Sequence, residues 1–213
     1  MPTGPVPYAD LRELLRRERI PEEDPGTAEL IRRLQRVKRA GEFSRAQFLE
    51  MCRWKSARAI RHYRRVSAAR VRVVSRAVLA TRSERRRMEL LTSLDGVGIP
   101  MVSAVLTLID PRRYGVLDIR VWQLLFAMRS VRQNPRGRGF SLEHWERYLR
   151  ALRGHARRLG VSVRAVEWTL FHAHRGVQEG RLYDAVAAPR FVLARLQAPA
   201  RPAPRSGRPT QTR

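Results

Sequence analysis

The chain has a single cysteine, Cys52, which excludes an internal disulfide and cannot by itself hold a zinc ion or an iron–sulfur cluster. Lysine is nearly as scarce: of 44 basic residues only Lys38 and Lys55 are lysines. Acids number 19, which leaves a formal net charge of +25 and a pI near 11.8. A GC-rich coding bias would account for arginine over lysine, but not by itself for so few acids. A field of that size favours polyanions, nucleic acid first among them. No apolar run approaches the ~18 residues of a membrane span, and the opening MPTGPVPYADL lacks a basic, then apolar, secretory pattern. The expectation is a cytoplasmic, nucleoid-associated protein without a membrane partner. No 20–50-residue repeat, sustained strand-period alternation, Ser/His/Asp arrangement or phosphate-binding P-loop is visible.

What is present reads as a succession of amphipathic helices. At 213 residues the chain suits one compact unit or two intimate lobes, burying roughly 70% of its unfolded surface. After a Pro/Gly-rich lead-in, Tyr8 to Arg19 turns Leu11, Leu14 and Leu15 inward, and Thr27 to Arg39 buries Leu30, Ile31 and Leu34 before Gly41 stops it. Ser44 and Gln47 form a capping box ahead of Phe48, Leu49 and Cys52. His62 to Ala80 reads as one basic helix with Val71, Val74 and Val78 as its spine. Further on, Ile119 to Met128 is apolar, Asn134 to Gly139 reads as a flexible basic loop, and Ser141 and Ser162 cap two long helices. Tyr183 and Phe191 to Leu196 are expected to pack back onto the last of these. From Ala198 the Pro/Arg tail reads as disordered. Its four arginines, taken from +25, still leave +21 on the body.

Residues 90–125, LLTSLDGVGIPMVSAVLTLIDPRRYGVLDIRVWQLL, carry the chemistry. Leu90, Leu91 and Leu94 close a helix; Gly96 and Gly98 offer positive φ; and Pro100 suits the first turn of the next helix, where Met101, Ala104, Val105 and Leu108 share one face. In such a turn the amides opening the second helix favour an anion, and a phosphate is the obvious one. The same pattern also suits an ordinary αα-corner.

In combination, L-x-x-L-D-G-V-G, the Val105-Leu106 pair and V-L-D-I-R-V resemble the helix-hairpin-helix/GPD superfamily of DNA base-excision glycosylases, over about a sixth of the chain. In its endonuclease III branch the hairpin is L-P-G-V-G, a lysine stands two residues beyond the last glycine, and an aspartate opens a V-D-T-H-type segment. Here Pro100 takes the lysine's place, Asp118 falls eighteen residues later in the aspartate's, and Arg120 stands where those relatives have histidine. The resemblance implies an all-α, two-lobed fold. Residues 44–115 would form the lobe ending in the helix-hairpin-helix (about 86–109), and residues 1–43 would pack with the 116–197 lobe that opens at Asp118. Residues 198–213 would be the tail. It also implies a monomeric binder of double-stranded DNA without an iron–sulfur cluster, and with no cofactor beyond a monovalent cation that the hairpin could hold.

The implied activity is hydrolysis of an N-glycosidic bond to a damaged, modified or mismatched base. As the base leaves, positive charge builds on the sugar, and a carboxylate beside it stabilises that state or activates water. Asp118 is the candidate catalytic residue, and as the residue before Ile119 it is also a good helix N-cap. Without the hairpin lysine the default is a monofunctional enzyme, Lys55 being the one reservation. The hairpin residues Gly96, Val97, Gly98 and Ile99, together with Arg53, Lys55, Arg58 and Arg120, are the expected DNA contacts. From Arg53 to Arg87 thirteen basic residues face one acid, Glu84, and these would add phosphate contacts. A base flipped from the stack needs a pocket and a wedge, and Trp54 and Trp122 are the candidates; Trp168 reads as core. An aromatic pocket would suit a cationic alkylated base. His172 and His174 diverge by about 200° on a helix and cannot share a metal there. Two alternatives remain: a non-catalytic helix-hairpin-helix DNA-binding protein in which Asp118 is only a cap, and an RNA-binding or nucleoid-type protein attracted mainly by charge.

Overall fold

The computed structural model describes residues 8–178 together with Leu182, Leu193, Ala194 and Leu196, and among these every regular element is helical, with no strand. In chain order the helices are α1 (Leu11–Arg17), α2 (Pro25–Leu34), α3 (Arg36–Ala40), α4 (Arg45–Lys55), α5 (Ile60–Tyr63), α6 (Ala68–Ala80), α7 (Glu84–Thr92), α8 (Ile99–Ile109), α9 (Ile119–Ala127), α10 (Leu142–Leu159) and α11 (Val163–Val177). Of the segment expected to pack back at the C-terminal end, Leu196 is buried. Tyr183 and the 198–213 tail lie outside the described residues.

α8 is the axis of the molecule. Every residue from Met101 to Ile109 is buried, so the single apolar face read from the sequence is a helix enclosed all round, with the hydroxyls of Ser103 and Thr107 satisfied by hydrogen bonds. α4, α2 and α7 surround it, each buried Leu or Val contributing roughly 1.5–3 kcal/mol. Polar ties hold the ends of this layer: Gln35 donates to the Ile109 carbonyl at 3.2 Å, and Lys38 pairs with Asp110 at 2.7 Å. On the other side α10, α9 and α11 pack together, with α1 leaning on α11. The two layers share one continuous buried cluster from Tyr8 to Leu196.

Serine and aspartate set most helix starts. Asp10, Asp24, Ser44, Ser67, Ser83, Asp118, Ser141 and Ser162 each accept a backbone N–H of the first turn, and Ser44–Gln47 forms the expected capping box. Two expectations are corrected by these caps, and a third by hydrogen bonds within a loop. The 27–39 helix is two helices joined at Gln35, starting earlier because Asp24 caps it and Pro25 fills its first position. The 62–80 helix begins only at Ala68, because Ser67 is extended and caps Arg70; ahead of it lie a 3-10 turn at Ala57–Ala59 and the short α5. The 134–139 loop is pinned instead of free. Asn134 bonds Arg138 through both its carboxamide atoms and accepts the Trp122 indole N–H at 2.7 Å, while Gln123 donates to the Arg136 carbonyl at 3.1 Å.

Candidate nucleic-acid interface and carboxylate site

The hairpin joins α7 to α8. Val97 N–H donates to the Leu94 carbonyl at 3.0 Å, and Gly96 sits at φ +76°, where a Cβ would also press on His62 at 3.3 Å. Gly98 departs from expectation: at φ −91°, ψ 169° it is ordinary extended backbone serving as the N-cap of α8. Having no side chain, it cannot cap, and α8 alone among the described helices longer than five residues starts without a side-chain hydrogen bond. Gly96 and Gly98 are exposed, Ile99 is half-buried, and Val97 is turned into the core. The opening of α8 therefore presents backbone to solvent at the positive end of a helix dipole.

A hydrogen-bond chain runs from this hairpin to Asp118. Ser103 Oγ donates to the Pro100 carbonyl and accepts the Leu117 N–H, at 2.7 and 2.8 Å, while the Tyr148 hydroxyl holds the Val116 carbonyl. The residues just before Asp118 are thus fixed by buried bonds. Asp118 caps α9, its Oδ1 accepting the Arg120 N–H at 3.0 Å, and its Oδ2 receives Lys55 Nζ at 3.0 Å. The Arg120 guanidinium lies 3.9 Å from Oδ1. Both partners keep some access to solvent, at 22% for the Lys55 side chain and 16% for that of Asp118. Burial opposes charge on Asp118, but Lys55, the Arg120 N–H and the Arg120 guanidinium outweigh it and hold its carboxyl below the usual carboxylate range.

Behind this pair lies a charged network that sequence reasoning missed. Arg164 and Glu167, three residues apart on α11, are both buried and paired, and Arg164 also forks onto Glu23 at 2.6 and 2.9 Å. Burial pushes the Glu167 carboxyl up, and Arg164 and Lys55 pull against it. Burial likewise opposes charge on Arg164, yet the two glutamates lift its pKa overall. The available signal was the phase of α11, in which Arg164 and Glu167 fall on the apolar row with Val163, Val166 and Leu170. The Arg164 guanidinium stacks on Trp54 and Trp168, 5.6 and 4.6 Å from their centroids. Trp168, expected in the core, is half-buried and packs beside Phe171 and His172; Phe171 in turn lies 5.4 Å under the Arg120 guanidinium.

The remaining candidates divide. Trp54 is half-buried with its indole N–H given to Thr27 Oγ1 at 2.9 Å. Trp122 is completely buried against Phe140, His144 and Tyr148, so it is not placed to serve as a pocket wall or wedge; on α9 it falls in the inward row with Val121, Leu124 and Leu125. Arg53 and Arg58 are exposed. Much of the 53–87 basic tract is engaged internally: Arg72 and Arg76 on Glu42, Arg85 on Glu146, Arg86 on Glu89, Arg87 on Glu84, and Arg70 on Ser93 beside the hairpin. His174 is buried on Gln123 while His172 stands against Trp168, and no group of His, Cys, Asp or Glu among the described residues could hold a metal ion. No described helix is long and apolar enough to cross a membrane. The chain matches no family model, no curated protein and no solved structure.

Proposed function

We propose that this protein is a DNA base-excision glycosylase in which the hairpin grips the phosphate backbone and Asp118 acts on the sugar of a flipped nucleotide. The observation that carries the proposal is the state of Asp118: an ionised, oriented carboxylate with partial solvent access, tied through Leu117 and Ser103 to a helix start that has no side-chain cap. A carboxylate fixed before the reaction stabilises developing positive charge without reorganising. Its register with the hairpin, and the strongly basic composition, support the same reading. As glycosylase chemistry it is monofunctional by default: water attacks C1′ and the base departs with the bonding pair, leaving an abasic site.

A second reading is favoured by the 3.0 Å contact between Lys55 and Asp118. Once Lys55 has given up a proton, its amine attacks C1′ as the base leaves. The C1′–O4′ bond then breaks, O4′ taking the proton that the nitrogen gives up, and the opened sugar is an iminium; loss of a C2′ proton expels the 3′ phosphate, and water releases the lysine.

Single-turnover incubation with duplexes carrying alkylated, deaminated, oxidised and hydroxymethylated bases tests both. Alkali-dependent cleavage lost by at least a hundredfold in Asp118→Asn, with duplex binding retained, is the expected result. Cleavage without alkali, with borohydride trapping that disappears in Lys55→Gln, selects the lyase route. Binding without an abasic product across the panel overturns the enzymatic reading in favour of a non-catalytic helix-hairpin-helix binder.

A further inference from the structure

A cavity of about 630 Å³ opens beside α10, between the Arg112–Arg113 turn and the starts of α7 and α11. It includes none of the residues assigned above to DNA contact or catalysis. Its floor is apolar and closely packed: Trp145, Leu149, Ala156 and Val163 line it, and all are buried. Its charges are unequally matched. Glu84 is occupied by Arg87, Arg113 and Arg153 as well as by the Tyr114 hydroxyl, and Glu146 is occupied by Arg85. Arg112, Arg150 and Arg157, exposed at the rim, have no acidic partner among the described residues.

We infer that this cavity binds a small organic anion, a molecule with a flat apolar body and a carboxylate, sulfate or phosphate head. The volume is that of small-molecule pockets, which are mainly apolar with a few convergent polar groups. Three guanidiniums without counterions supply the recognition of the head, since planar forks match carboxylate and phosphate oxygens. The apolar lining accounts for the body, which a DNA backbone lacks: phosphates would meet only the guanidiniums at the rim. The protein's own 198–213 tail, with four arginines and no acid, has the wrong charge for this rim. The Trp145 indole N–H, buried with no acceptor among the described residues, belongs to the ring that lines the floor.

The probe is 1-anilinonaphthalene-8-sulfonate titrated into the full chain, read by dye fluorescence and by the indole ¹H–¹⁵N signal of Trp145, assigned with Trp145→Phe. Saturable one-site binding that shifts the Trp145 signal is expected, weakened at least tenfold in Arg150→Glu/Arg157→Glu. It should change less than twofold in Arg36→Glu/Arg39→Glu, which removes the same charge from exposed positions on α3. The neutral N-phenyl-1-naphthylamine should bind at least tenfold more weakly than the sulfonate. Equal losses in the two charge-matched variants, equal affinity for the neutral dye, or an unmoved Trp145 signal overturns the inference. Thermal melts confirm that each variant is folded. The result does not depend on glycosylase activity.

Discussion

His174 donates from Nε2 to Gln123 Oε1 at 3.0 Å with its ring 1% exposed. Burial first, and Arg120 second, push its pKa down to about 4 from 6.5. The folded imidazole therefore stays neutral while the unfolded one takes a proton below pH 6.5, so stability falls as pH drops from 6.5 towards 4 and levels off beneath that. The loss is roughly 2–4 kcal/mol for a shift of this size. Asp118 follows the same sign in a lower window: its folded pKa is depressed, so its contribution is present above its ordinary 3.8 and disappears only as pH falls through the folded value. Urea unfolding at pH 7 and pH 4.5 spans the histidine window and leaves Asp118 charged; burial lowers His155 and His172 as well, so the His174→Leu variant is what separates this residue's share. The expected outcome is a marked drop for the wild type and a much smaller one for His174→Leu; parallel drops would remove His174 as the cause. The histidine was visible in the sequence only as half of an H-x-H pair, because its partner Gln123 is 51 residues away on another helix. Asp118 was legible because its cap is local. Its contact with Lys55 spans 63 residues and left no local trace.

Among elements, the hairpin separates two glycines that the sequence treats alike. Gly96 needs a positive φ and has His62 against it, so Gly96→Ala should lower stability by about 1–2 kcal/mol. Gly98 is extended and open, its nearest neighbour for a Cβ being Pro100 at 3.9 Å. Gly98→Ala should change the melting temperature little and show its effect in duplex affinity. Thermal melts beside binding titrations check the pair; equal melting losses would contradict the assigned geometry. Helix starts were legible at the caps Ser44, Ser141 and Ser162, while the caps at Asp24 and Ser67 were passed over. The start of the 62–80 helix was misjudged because the residues there suit one, whereas the helix is broken after α5 and the extended backbone at Ser67 leaves Val66 in the core. The 134–139 loop looked loose because Gly and Pro mark turns without revealing that Asn134 and Gln123 tether it.

Over the whole molecule, charge sets the expected salt dependence. If the hairpin and the exposed arginines cover six to ten phosphates, affinity for duplex DNA should fall by roughly 10³–10⁵ between 50 and 200 mM salt. Arg53→Ala and Arg58→Ala, at exposed positions, should each reduce the slope of log K against log salt by about one without altering base preference. Slopes unchanged in both would place the duplex elsewhere. The overall charge was legible from composition. The internal use of Arg70, Arg72, Arg76, Arg85, Arg86 and Arg87 was not, because the partners of the first four, Ser93, Glu42 and Glu146, lie in distant segments of the chain.

The scarcity of lysine gives the Lys55–Asp118 contact a further use. Succinimidyl esters and reductive methylation have just two side-chain amines to find in 213 residues, and each is held by an aspartate, Lys38 by Asp110 and Lys55 by Asp118. An amine engaged in an ion pair must be released before it can acylate. The modification rate at Lys55, read by peptide mass against Lys38 as an internal clock, therefore measures how often the Lys55–Asp118 pair separates, and a molecule bound over that pair would register as protection from the reagent.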